Sequence, residues 1–330
     1  PPHFFFSITT RDTTLASFSG GLTCLLASSD RLALTNLETL LKIPLIKRKG
    51  LIGIDALMSK RAAKFKPSKG FEFYQKEFDG VKTDIIERID SEHKKAILYF
   101  HSGAFVSGTT DTHRSVGELF LQYSNADTVI VVNYRTAPEY EYPAAHEDAF
   151  TVLKNISDSY GTIITAGDSS GGNLALSAAL MARDRGERIP DGIILISPWA
   201  DFTRSGKTYK TNYDKDPMFG YLSTPKAREL VELYSKIADI TDKYLSPVFS
   251  SFSSLPPMLI EACENELLLD DAYMIKECAD KSGINTKLLI YKGMFHSFQT
   301  ISLNAATSKT AWNDMGKYIN NISKERANAK

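Results

Sequence analysis

Six short, mainly apolar runs, separated by segments of helical length, constrain this chain more than any other feature. They lie at residues 96–100, 128–132, 162–166, 193–196, 258–262 and 287–291. Each is too short for a core helix and lacks period-2 alternation, which marks a strand covered on both faces. The segments between most of them, at residues 115–123, 144–157, 170–185, 270–281 and 308–322, read as helices that supply the cover. Ahead of the series, residues 71–78 and 81–89 alternate apolar and polar side chains and predict a half-solvated antiparallel pair. The expected fold class is therefore α/β: a mostly parallel eight-stranded sheet flanked by helices.

Two stretches interrupt that rhythm. Residues 1–65 precede any convincing strand, and residues 201–245 are too long for a simple crossover. The second holds a helical pattern at 226–237 and the aromatics Tyr209, Tyr213, Phe219 and Tyr221. Both are expected to form a cap over the carboxyl ends of the strands, where open α/β sheets bind ligands. Residues 66–200 and 246–330 then form the main domain, a division compatible with 330 residues.

Charge and cysteine content narrow the function classes. Lys plus Arg equals Asp plus Glu at 39 each, so no net field gathers phosphate backbone, and nucleic acid is not an expected partner. Three scattered cysteines make neither a disulfide framework nor a C-x-x-C pair, which fits a reducing, cytoplasmic compartment. No apolar run approaches the roughly 20 residues that cross a bilayer. The sequence begins Pro-Pro-His without an initiator Met, so a processed N-terminus is compatible with it; the sequons at Asn155 and Asn321 would matter only in a secreted protein.

The chemistry starts at Gly167-Asp168-Ser169-Ser170-Gly171, a G-x-S-x-G pattern between a predicted strand and a predicted helix. In that context the turn projects the Ser169 hydroxyl, and the Ser170 N–H at the helix start can face an anion. The rival use of such a turn is phosphate binding, but Gly206-Lys207-Thr208 lacks the preceding glycine of a Walker loop. A serine nucleophile needs a base. In the order serine, acid, histidine, only His296 of the six histidines follows Ser169. The acid must come from the loop and helix start after the strand at 258–262. Glu266 is favoured there, with Glu264 and Asp270 as alternatives, while Asp270 and Asp271 also suit ordinary helix-start roles. Backbone donors for a developing oxyanion are expected from Ser170 and from Gly103 and Ala104, in the small-residue turn after the strand at 96–100.

These motifs resemble the hormone-sensitive-lipase family of α/β-hydrolase serine esterases over residues 71–322. The family's H-G-G-G segment corresponds to His101-Ser102-Gly103-Ala104, its G-D-S-A-G-G elbow to Gly167 through Gly172, and its Y-R-x-A-P-E stretch to Tyr134 through Glu139, followed by Pro143-Ala144. The resemblance implies Ser169 as nucleophile, Glu266 as acid and His296 as base, although Glu266-Leu267 stands where many members have Asp-Pro. Two further departures, Ser102 and Ala104 in place of glycines, predict a stiffer oxyanion loop wherever positive φ is required. The expected activity is hydrolysis of short to medium acyl esters through an acyl-enzyme, with no cofactor or metal. The alternatives are amide or acetyl-ester deacylation and lipase action on the same triad, a non-catalytic small-molecule receptor, and a nucleotide-binding domain. The last strand is expected at a sheet edge, where a second copy could pair.

Overall fold

The computed structural model describes residues 64–219 and 232–328. The expected cap segment at 1–65 and the central part of the second lie almost wholly or partly outside those residues. Eight strands form one sheet in the order β1-β2-β4-β3-β5-β6-β7-β8. They are β1 (Phe71–Phe78), β2 (Val81–Arg88), β3 (Lys95–Phe100), β4 (Thr128–Val132), β5 (Thr162–Asp168), β6 (Gly192–Ile196), β7 (Met258–Cys263) and β8 (Thr286–Tyr291). β1 pairs antiparallel with β2, and β2 antiparallel with β4; all later pairings are parallel. The helices are α1 (Asp111–Tyr123), α2 (Ala144–Ile156), α3 (Ser170–Asp184), the single turn α4 (Thr208–Thr211), α5 (Leu269–Lys281), the single turn α6 (Phe298–Ile301) and α7 (Ala306–Asn328).

The apolar runs from β3 to β7 are buried as their lack of alternation predicts, whereas the last, β8, is only half-covered because it lies at the end of the sheet order. In β3, Leu98 and Phe100 enter one core with Leu174 of α3 and Ile275 of α5, while Ile97 and Tyr99 enter the opposite core with Phe120 of α1 and Trp312 of α7. Successive side chains of a strand point to opposite faces, so a strand with helices above and below must be apolar throughout. Among the described residues no helix is long and apolar enough to cross a membrane.

The antiparallel pair departs from expectation. β1 is half-solvated, but β2 is largely buried because β4 covers its other edge and α1 its face. Its Asp84 is fully buried, and the apparent alternation is resolved by a 2.8 Å ion pair with Arg114 of α1. α1 itself begins four residues earlier than the apolar pattern suggests. Thr110 caps it, accepting from the His113 N–H while His113 Nδ1 accepts from the Thr110 N–H.

Candidate active site

The nucleophile candidate sits where β5 meets α3. Ser169 has φ 57° and ψ −119°, a sparsely populated conformation that costs about 1–3 kcal/mol and persists only where the surroundings enforce it. Here the enforcement is close backbone approach. A Cβ on Gly167 would lie 2.1 Å from the Gly171 carbonyl oxygen, and one on Gly171 2.0 Å from the Phe100 carbonyl oxygen, so the flanking glycines are steric requirements. The Ser169 N–H donates to the Ile196 carbonyl at 2.9 Å, and its carbonyl accepts from the Trp199 N–H at 3.1 Å. The elbow is thereby pinned to the end of β6.

The histidine arrives on the turn between β8 and α6. His296 is 4% exposed, and its Nδ1 lies 2.9 Å from Oε2 of the fully buried Glu266. A carboxylate only accepts, so Nδ1–H is the donor of this contact and Nε2 is left facing away from Glu266. The other Glu266 oxygen accepts from the Cys263 N–H at 2.8 Å, so both oxygens are held. Ser297 takes the left-handed conformation at φ 51° and donates its N–H to Ser197 Oγ at 3.1 Å, while Cys263 Sγ donates to the Phe295 carbonyl at 3.1 Å. The imidazole is thus docked on the ends of β6 and β7, the rim that carries Ser169. No hydrogen bond joins Ser169 Oγ to His296 among the described residues; in unliganded hydrolases such contacts are commonly long and tighten on substrate binding.

Of the other acid candidates, Glu264 is exposed and Asp270 accepts from the Thr208 N–H at 3.0 Å. Asp271, read from sequence as suited to a helix start, is fully buried and accepts from the N–H groups of Ala200 and Asp201 and from the Tyr209 hydroxyl. Burial holds its carboxyl well above the ordinary range. It braces the strand-end loop, and among the described residues no hydrogen bond joins it to His296.

The turn after β3 carries Gly103 and Ala104, two of the residues expected to supply backbone donors. Gly103 has φ 127°, and a Cβ there would lie 2.7 Å from Ser107 Cβ. Ala104 and Phe105 follow at φ 53° and 62°. Positive φ therefore falls on Ala104 but not on Ser102, and the stiffening expected at two substituted glycines applies to one. Among the described residues the N–H groups of Gly103, Ala104 and Ser170 donate to no protein acceptor. The loop is supported from behind: Tyr134 donates to the His101 carbonyl at 2.8 Å, and the His101 ring stacks between those of His113 and Tyr134. Burial lowers His101 to about 4, so the stack is uncharged at neutral pH.

Several residues of the site carry no motif-level role. Asp168, inside the elbow, accepts from Tyr99 at 2.7 Å and Thr300 at 3.2 Å; burial raises its carboxyl, against the pull of those hydroxyls and of His296. Asn212 donates to the Glu264 and Glu266 carbonyls at 3.0 and 3.1 Å, and Asp216 accepts from the Leu267 N–H at 2.8 Å. The only sequence signal for the last two is that they are polar residues within the expected cap.

Comparisons with known proteins bear on the fold and the family. A family model described as the alpha/beta hydrolase fold matches residues 97–300. An esterase of Acinetobacter venetianus is 31% identical over 231 residues, covering 68% of this chain and 75% of that protein. An acetyl-hydrolase of Streptomyces hygroscopicus is 31% identical over 205 residues, covering 61% and 67%. Among solved structures, the esterase EstE5 soaked with p-nitrophenyl butyrate superposes with a TM-score of 0.80 at 29% identity, covering 90% of this chain and 99% of that one. A hormone-sensitive lipase from a metagenome library gives 0.78 at 28% identity, covering 90% and 99%.

Proposed function

Because this chain belongs to the hormone-sensitive-lipase family of α/β-hydrolases and is a carboxylic ester hydrolase, we propose that it cleaves short to medium acyl esters through Ser169, His296 and Glu266. The observation that carries the proposal is the buried 2.9 Å contact between Glu266 Oε2 and His296 Nδ1, on the rim that also carries the strained Ser169 elbow. His296 Nε2 takes the Ser169 proton as Oγ attacks the ester carbonyl. The N–H groups of Gly103, Ala104 and Ser170 receive the oxyanion, each worth roughly 3–4 kcal/mol of barrier in such sites. Collapse expels the alcohol with the proton from His296 and leaves an acyl-enzyme. Water, deprotonated by the same nitrogen, then releases the acid. Glu266 stays ionised and steadies the imidazolium throughout.

The short-chain preference is supported by the EstE5 neighbour, whose structure was soaked with p-nitrophenyl butyrate. The acetyl-hydrolase name of one relative favours acetyl groups at the short end of that range, for which acetyl-ester deacylation is the second reading. In the same proposal residues 201–245 act as the cap, and a second copy of the chain pairs along the exposed β8 edge.

The test is labelling with a fluorophosphonate beside an acyl-length series of p-nitrophenyl esters. Wild type should acquire one adduct, on Ser169, lose it in Ser169→Ala, and show kcat/KM falling beyond medium chains. An unlabelled wild type would point to a receptor, and faster turnover of long-chain triglyceride emulsions would overturn the chain-length assignment.

A further inference from the structure

The acid loop is held from outside by a carboxylate that has no part in the proton relay. Asp216 is 2% exposed and lies in the turn after α4. Its Oδ1 accepts from the N–H groups of Met218 at 2.8 Å and Phe219 at 2.9 Å, and its Oδ2 accepts from the Leu267 N–H at 2.8 Å. Leu267 directly follows Glu266. The Glu266 carbonyl is itself held by Asn212 Nδ2 at 3.1 Å, so the peptide groups around the acid are gripped by one short segment of the expected cap. That segment also reaches the base, because the Phe219 ring meets the His296 ring edge-on with centroids 4.6 Å apart. We propose that Asp216 is a positioning residue which fixes Glu266 through Leu267 and His296 through Phe219, setting both partners of the relay from a single carboxylate. The inference rests on the Ser169–His296–Glu266 reading and deepens it.

The ordinary role for this geometry is a local turn, in which an aspartate bonds the backbone two and three residues on. The bond to Leu267 goes beyond that role, since it spans 51 positions of sequence and ends beside the acid. Three N–H donors on one buried carboxylate favour its ionised form, and charge-assisted bonds of this kind are about twice as strong as neutral ones. Burial raises the carboxyl, while His296 and the Leu267 and Phe219 N–H donors pull it back. An asparagine fits the same space but offers only one acceptor oxygen, so it must abandon either the turn or the acid loop.

Asp216→Asn and Phe219→Leu test the proposal on the full chain with p-nitrophenyl butyrate and a fluorophosphonate probe. Asp216→Asn should lower kcat about 10- to 100-fold, the scale of a misplacement near 1 Å, with KM within about threefold of wild type. The rate of Ser169 phosphonylation should fall by a similar factor. Phe219→Leu, which leaves the clamp intact, should give a smaller loss with the same pattern, and it carries the test if the asparagine variant does not fold. A folded variant with kcat and labelling rate within twofold of wild type, or a loss confined to KM, would overturn the assignment. If instead wild type shows no Ser169 adduct, the underlying triad reading fails.

Discussion

At the scale of the residue, order and chemistry go far. Once the turn containing Ser169 is recognised, His296 follows by elimination, because no other histidine lies beyond it in the chain. The acid was less legible. Glu264 and Glu266 stand two apart on one loop, where no helical or strand period says which side chain turns inward. The structure separates them by burial, with Glu264 in solvent and Glu266 fully enclosed and bonded to both Cys263 and His296. This gives Glu266→Gln a defined expectation. The amide can still meet Nδ1 but no longer supplies the charge that steadies imidazolium and can hold the ring in the wrong tautomer. With the triad assigned as proposed, kcat should fall on the order of 10³- to 10⁴-fold at pH 7 with little change in secondary structure by circular dichroism. A loss under tenfold would remove Glu266 from the relay.

At the scale of the element, the sequence placed the strands well because each apolar run is a whole strand. It placed their environment less well. Alternation marks a strand with one wet face, yet β2 alternates and is buried, because an ion pair to α1 satisfies the polar side chain that alternation would send to water. The expected edge is where the sheet order puts it: among the described residues β8 pairs only with β7. Its six residues are only half-covered and carry a single charge, at Lys287, so among the described residues little protects that edge from a second strand. Light scattering should therefore return twice the 36.6 kDa of one chain. A mass of one chain at working concentrations would exclude pairing along β8.

At the scale of the whole molecule, buried ionisable groups couple stability to pH. Burial lowers His101 and His146 to about 4 and His113 well below its ordinary 6.5. Below about 6.5 the unfolded chain takes up protons that the folded chain refuses, so each histidine removes about 1.4 kcal/mol of stability per pH unit as the pH falls toward its folded value. Glu261, on β7, acts in the opposite sense. Burial raises it from 4.5 to about 8 despite hydrogen bonds from Gln299 and Tyr291, so its contribution is complete below about 4.5 and is lost as the pH rises toward 8. Asp168, Asp216 and Asp271, also raised by burial, act in the sense of Glu261, so the histidines and carboxyls oppose one another and a single replacement isolates one group. Measured against Glu261→Gln, the urea midpoint of wild type should lose ground steadily as the pH rises from 5 to 8, because only wild type must give up the Glu261 proton. A difference between the two that does not change over that range would contradict the buried, protonated state of Glu261.

The sequence by itself determined the layered sheet, the elbow and the order of its chemical partners, because those depend on local period, steric need for glycine and position along one chain. The tertiary structure decided which glutamate faces the imidazole, where positive φ falls in the oxyanion loop, and that Asp216 joins the segment after α4 to the acid loop. Each of these depends on backbone groups distant in sequence meeting at hydrogen-bond range. Hydrophobic patterning fixes which faces are buried, and it carries no information about which buried donor meets which acceptor.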